Sequence, residues 1–440
     1  MDQQQIISPR QFSWISTVII FTSSQTFVPR EALYISHHNA WFTYILPLVY
    51  VLFITYVFYE LCKVFPKKNI FEISFLLFGK FVGGFINILM ILYIWSSFMR
   101  NISTISVFMD STILILTPVY VIGIICNLIV QHYGKMSIEV SARVNELTFI
   151  LFITMAFSMP LMLIGDIQVQ NVLPILSHGV NGFFKSNTLN LGWFGDLFIL
   201  GAFLHTLSVP RQVHASLRYG AINATFLLTL IMMLTITILG PNIGSKAMYP
   251  IYLLAEQIHF TDFLERLEII MVTAYTFSYM LSMIFIFIAG LIGISSFTKR
   301  RDYRIYSSSA GWLMYMITVL SFSNITDLYN FVSYSSVIIA ITIQVPILIL
   351  FWIFSKRKKY RKQISVKVKK EHKYGRSFRW MTNGFILLSL VFIFFGIWLG
   401  DKIAICGTIA GLGFLLSLSS ALITSLLEMI KCNKLRRNNP

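Results

Sequence analysis

Thr22, Ser23, Ser24, Gln25 and Thr26 follow one another inside a stretch that is otherwise apolar, 12–34. Five successive hydroxyl and amide groups supply donors and acceptors but no nucleophile–base pair, so the chemistry they suit is binding. Tyr275, Ser278, Tyr279 and Ser282 recur at helical spacing and share one face, a polar stripe that can line a small-molecule pocket. Asn87 and Tyr93 add polar groups to another apolar stretch, and Gly201–Ala202 lies below Gly192, Gly195 and Asp196 in a third. No P-loop, HExxH, GxSxG or dinucleotide fingerprint occurs. Cys62, Cys126, Cys406 and Cys432 are scattered without metal-ligand or disulfide spacing. The expectation is a binding protein rather than an enzyme, without cofactor or metal. Its candidate ligand set is Thr22, Ser23, Ser24, Gln25, Tyr93, Gly201, Ala202, Tyr275, Ser278 and Tyr279.

The elements that position these residues are apolar helices. The chain is 56% hydrophobic and 12% charged, outside the range of soluble globular proteins. A bilayer core takes about 20 apolar residues per helix. Spans are expected at 12–34, 39–60, 79–102, 111–131, 145–165, 191–210, 217–240, 268–296, 309–323, 332–354, 381–400 and 403–427. All but six of the 35 Lys and Arg fall in alternate gaps, the six being Arg30, Arg100, Lys185, Lys246, Arg266 and Lys402. That is the positive-inside pattern with both termini cytoplasmic. The net charge of +17 is thus topological, and no nucleic-acid partner is implied. No small-residue cleavage site follows the first span, so it is expected to be retained. Arg100, Asp110 and Glu60 sit at expected span ends, where snorkelling accounts for them.

Polar backbone at membrane depth persists only when buried in protein or lining a wet cavity. The first and sixth spans both carry interruptions and lie five apart, as two repeats of five helices require. The sequence therefore divides into a ten-helix unit, 1–355, a basic cytoplasmic connector, 356–380, and a two-helix hairpin with a basic tail, 381–440. The connector suits a solvated or lipid-headgroup-binding loop. In the hairpin, Gly407-x-x-x-Gly411 and Gly413 are spaced for close packing against another helix. The external segment 166–190 reads as a short interfacial helix; a second, 241–267, carries Pro250.

A set of ordered landmarks accompanies this pattern. They are Ile7 to Gln11 before span one, Pro29–Arg30 at its exit, Asn39 to Trp41 opening span two, and Gly79–Lys80 with Gly83 and Tyr93 in span three. Thr117–Pro118, Leu173–Pro174, Pro210, Arg218–Tyr219, Tyr249–Pro250 and Phe263 to Glu268 follow. With these the chain resembles, over roughly 1–360, the B subunits of bacterial spore germinant receptors, in the amino acid–polyamine–organocation transporter superfamily. The resemblance implies an all-α polytopic membrane protein with a LeuT-type 5+5 inverted-repeat bundle, here followed by the hairpin. It implies a nutrient sensor in the inner spore membrane, working with an A subunit and a lipoprotein C subunit. The pocket would lie between spans one, three, six and eight.

Two departures bear on the ligand. Relatives often have a Gly-rich break in span one, whereas Thr22–Thr26 has no Gly. Several also carry a Glu near the span-six break, and Gly201 to Leu204 has none. Amino acids, nucleosides and sugars all stay open. The hairpin is a further departure, either a fused two-helix D-type subunit or an extension as in twelve-span superfamily members. A permease moving a small metabolite by alternating access is the alternative function; the fifth span lacks the Lys common in proton-coupled members.

Overall fold

The computed structural model describes residues 7–176, 179–207, 209–258, 267–298, 302–322, 324–357, 375–400 and 403–437. Most of the connector (358–374), the Asp401–Lys402 turn and Phe263–Arg266 of the landmark set lie outside the described residues.

Helices account for almost all of the described chain. Helix α1, Pro9–Ser23, starts at a capping box formed by Ser8 and Gln11 and ends at Ser24. Four non-helical residues separate it from α2, Val28–Ser36. A 3₁₀ turn, His37–Phe42, leads to α3, Ile45–Val64. Helix α4, Ile70–Thr112, is two helices joined at Gly79, whose φ of 80° is open to glycine and strained for other residues. The turn returns the first segment against the second so tightly that a Cβ on Gly83 would sit 2.8 Å from the Ser74 carbonyl oxygen. Helices α5, Val119–Gly134, and α6, Ile138–Met162, complete the first five spans.

The sixth expected span differs from its sequence reading. Helix α7 runs Gly179–Phe194 and passes directly into a 3₁₀ segment, Gly195–Thr206. The helix thus occupies residues that read as an external interfacial segment. Their polarity conceals a buried face. Ser186 bonds the Ser36 hydroxyl at 2.8 Å, Asn187 accepts from the Leu46 N–H at 3.0 Å, and Asn190 donates to Thr43 Oγ1 at 3.3 Å. Polar residues that pair with a neighbouring helix are invisible to hydropathy, which counts them as solvated.

Helix α8, Pro210–Lys246, kinks at Gly240, and α9, Pro250–Glu256, packs near its end. Helix α10 is Leu267–Ser295, close to its expected span, and α11 is Ser307–Ser321. The tenth span is assembled from α12, Ile325–Asn330, α13, Ser336–Ile339, and α14, Val345–Ser355, joined by two π-helical turns. Helices α15, Arg376–Leu399, and α16, Ala404–Arg437, form the hairpin.

Eight described helices are long and apolar enough to cross a bilayer. The other four expected spans are α5 and α11, which are short, and spans one and six, which are broken, so length alone does not qualify them. Residues such as Phe81, Leu116, Leu147 and Leu320 are largely exposed, which suits a hydrocarbon surround. Helix α1, by contrast, is buried from Ile15 through Ser23 and packs on α6, α8 and α10. The broken helix is the axis of the bundle.

Candidate functional site

The interruption predicted in span one is a real break. Helix α1 stops at Ser23 and all five polar residues, Thr22 to Thr26, are buried. Hydrogen bonding by neighbours holds the break open. The Tyr275 hydroxyl donates to the Thr22 carbonyl at 2.8 Å and sits 3.2 Å from the Thr26 hydroxyl. Thr22 Oγ1 donates back to the Val18 carbonyl at 2.7 Å. Ser23 donates to Asn101 Oδ1 at 3.2 Å, and the Tyr279 hydroxyl donates to the Asn101 carbonyl at 3.3 Å. Ser24 Oγ and Gln25 Nε2 are buried with no hydrogen-bond partner. Phe27, at the N-cap of α2, supplies no side-chain acceptor for the first-turn N–H groups. The break therefore offers one unpaired hydroxyl, one unpaired amide and an uncapped helix N-terminus.

The network continues across α4 to the second break. Asn101 Nδ2 donates to the Ser97 carbonyl at 2.8 Å, and Ser97 Oγ donates to Asp196 Oδ1 at 2.7 Å. Tyr93 donates to the same oxygen at 2.8 Å, and Arg100 forms an ion pair with Asp196 Oδ2. Asp196 has 0% and Arg100 3% of its surface exposed. The Arg100 guanidinium lies 3.8 Å from the ring centre of Trp193. Snorkelling is therefore not what Arg100 does. The helix extends beyond its apolar stretch to Thr112, which sets position 100 inside the bundle rather than at a span end.

At the α7-to-3₁₀ junction, Gln344 Nε2 donates to the Gly195 carbonyl at 2.9 Å and Tyr50 donates to Gln344 Oε1 at 2.7 Å. A Cβ on Gly195 would lie 2.6 Å from Gln344 Oε1, so any larger residue there displaces the Gln344 amide from the junction.

A cavity of about 90 Å³ adjoins the first break. Gln25, Thr26 and Tyr275 line it, with Phe21, Phe108, Phe152, Met155, Met159, Ile231, Met271 and Val272 making it largely apolar. Tyr249 closes one side beside α9; burial pushes its phenol up to about 12, so it stays a neutral donor. The walls come from spans one, three, five, seven and eight and the segment at α9. Span six, expected to take part, contributes to the network through Asp196 but not to this lining.

Among the sequence-predicted residues, Thr22, Ser23, Gln25, Tyr275 and Tyr279 are brought together at the break, with Ser24 beside them. Tyr93 joins through Asp196. Ser278 shares their helix but is occupied by the Ala274 carbonyl at 3.1 Å. Gly201 and Ala202 lie elsewhere: a Cβ on Gly201 would meet Ile70 and Phe58 side chains at 2.9 and 3.0 Å. Arg100, Asn101, Ser97 and Asp196 were not among the candidates. An ionisable pair within expected spans was the available signal, since such residues are costly in a membrane and face the interior.

The hairpin is fixed to the bundle by a second buried charge cluster. Glu428 on α16 pairs with Arg211 and, at 3.2 Å, with Arg218, both on α8. Arg218 also donates to Asn383 Oδ1 of α15 at 2.7 Å. A Cβ on Gly407 would overlap the Ile175 carbonyl, and one on Gly411 would press on Trp41 and Ile175. Gly407 and Gly411 thus receive a loop and an indole, whereas Gly413 meets the Phe392 ring of α15, and α16 does pack on a helix of the bundle, α8.

Comparison with known proteins places this architecture. Residues 6–326 match the family described as spore germination protein. The putative spore germination protein YfkT of Bacillus subtilis (strain 168) is 26% identical over 327 residues, 72% of this chain and 88% of that protein. Spore germination proteins KB and B2 of the same organism are each 20% identical over 79% of this chain, covering 93% and 97% of their own lengths. Among solved structures, Mhp1 is a nucleobase-cation-symport-1 family transporter in a closed conformation with bromovinylhydantoin bound. It superposes with a TM-score of 0.61 over 96% of this chain and 94% of its own, at 13% identity. That likeness establishes the LeuT-type transporter fold. With a matched family region covering most of its length, this chain belongs to the spore germination protein family, the spore permeases.

Proposed function

We propose that this permease-fold membrane protein is the membrane subunit of a nutrient-germinant receptor in the inner membrane of a bacterial spore. A small nutrient docks at the Thr22–Thr26 break, and the bundle passes the signal to A and C partner subunits. The observation that carries the reading is the pair of unpartnered groups, Ser24 Oγ and Gln25 Nε2, buried at a helix break beside a cavity. Buried polar groups without partners are costly, and a ligand that satisfies them binds with that cost removed. The uncapped start of α2 adds backbone donors without any glycine in the break, although Pro29 supplies none and Glu31 already places a carboxylate in the first turn. The largely apolar wall selects against large polar ligands.

The hydrogen-bond path through Ser23, Asn101, Ser97 and Asp196 supplies a physical route from the first break to the second. A ligand that binds one arrangement of these helices better shifts the population toward it by that difference in affinity. The fold likeness omits only about 4% of this chain, far less than the hairpin, which supports an extension of the transporter fold over a fused D-type subunit.

The test is a nutrient dose response of spores carrying Gln25→Leu or Ala156→Phe. Ala156 lines the cavity, so a phenyl ring there fills it. Half-maximal germination should need at least tenfold more of one amino acid, nucleoside or sugar, with the protein still present in the membrane. A wild-type dose response in both variants refutes the site. Normal germination alongside a lost uptake activity points to the permease instead.

A further inference from the structure

A second cavity, of about 530 Å³, opens where α3, α8 and α15 meet at the end of the bundle that the charge bias assigns to the cytoplasm. On α8, the helix common to both, Arg218 here lies 13 residues from Ile231 of the nutrient site, about 20 Å at 1.5 Å per residue, and the two cavities share no lining residue. We propose that it binds the phosphate of an anionic phospholipid from the cytoplasmic leaflet.

The cavity is cationic. Lys63, Arg218 and Arg379 line the cavity, and Arg211 lies behind Arg218 on the same carboxylate. Against these four cations stand two acids. Glu60 is taken by Lys63 at 2.6 Å, and Glu428 is shared by Arg211 and Arg218. Among the described residues no carboxylate is left for Arg379, so the cavity carries an excess of two positive charges. Arg218 is 2% exposed, and its Nε has no acceptor. Guanidinium groups held in this way match a phosphate oxygen pair in shape and charge.

Its walls are also graded in polarity. The α3 wall runs from Leu52 to Lys63, about 16 Å at 1.5 Å per residue. Its start is apolar and its end cationic, the polarity of a phospholipid standing in one leaflet. Trp380 and Tyr56 flank the cavity, 63% and 38% exposed, and are the amphipathic side chains found at headgroup depth. A soluble phosphate would need only the cationic end. Because α15 and α8 both contribute walls, an occupant would also bind the hairpin to the bundle.

The experiment uses the full chain purified in detergent, offered equal amounts of phosphatidylglycerol and phosphatidylcholine, with bound lipid counted by native mass spectrometry. Wild type should retain phosphatidylglycerol about tenfold over phosphatidylcholine. Arg379→Gln should remove most of that preference, as loss of one charge-assisted contact predicts. Lys63→Gln should weaken it, and Arg376→Gln, an exposed cation on the same helix outside the cavity, should leave it unchanged. Equal retention of the two lipids by wild type overturns the proposal and needs no variant. Equal losses in Arg376→Gln and Arg379→Gln overturn it too, in favour of diffuse surface charge. Displacement of the lipid by about 10 mM inorganic phosphate in wild type overturns the lipid source and assigns the site to a soluble phosphate.

Discussion

Replacing Asp196 with Asn tests whether the second break is held by charge. The carboxylate accepts from Tyr93 and Ser97 on one oxygen and from Arg100 on the other. Arg100 can only donate, so the amide must turn its oxygen to the guanidinium and its N–H₂ to two hydroxyls that now have to reorient. The larger loss is the counter-charge of a guanidinium that is 3% exposed. Removing one partner of a buried ion pair costs about 3–5 kcal/mol. The Trp193 face at 3.8 Å still holds the cation, which argues for the lower end, about 3 kcal/mol. That is roughly two orders of magnitude in the unfolding equilibrium. The assay is unfolding in mixed micelles of rising SDS fraction, followed by tryptophan fluorescence. In the double variant Arg100→Met/Asp196→Asn no charge is stranded, and at least about 2 kcal/mol of the loss should return. A single variant within about 0.5 kcal/mol of wild type, or a double variant as unstable as the sum of the two singles, refutes the reasoning.

Three further outcomes are expected. Tyr275→Phe removes the donor to the Thr22 carbonyl and the contact with Thr26, about 1–2 kcal/mol, and should shift the nutrient dose response about 5- to 30-fold with the protein level unchanged. Glu428→Gln strands Arg211 and Arg218 and should loosen the hairpin, seen as faster cleavage by a protease added on the cytoplasmic face; wild-type resistance would show that the clamp is dispensable. Gly195→Ala forces Gln344 away from the junction and should cost about 1–3 kcal/mol in the same SDS titration, whereas Gly384→Ala, where a Cβ meets nothing, should be silent.

Hydropathy made the membrane class legible because the hydrocarbon core imposes its thickness on every crossing helix. The Thr22–Thr26 break was legible for the same reason, since five polar side chains in an apolar run have few places to go. The sixth helix was not. Ser186, Asn187 and Asn190 read as solvated, and only their partners at Ser36, Leu46 and Thr43 show them as interior. Gly201–Ala202 looked like a second break, yet the junction falls at Gly195, where the carbonyl finds Gln344 from 149 residues along the chain.

What the residue order determined alone was therefore the set of apolar helices, their bias in cationic ends and the place where the first helix fails. Tertiary structure decided which charges meet: Arg100 with Asp196, and Glu428 with Arg211 and Arg218. The reason is that apolar helix content is a property of consecutive residues, whereas the satisfaction of a buried charge depends on a distant partner, 217 positions along the chain for Arg211 and Glu428.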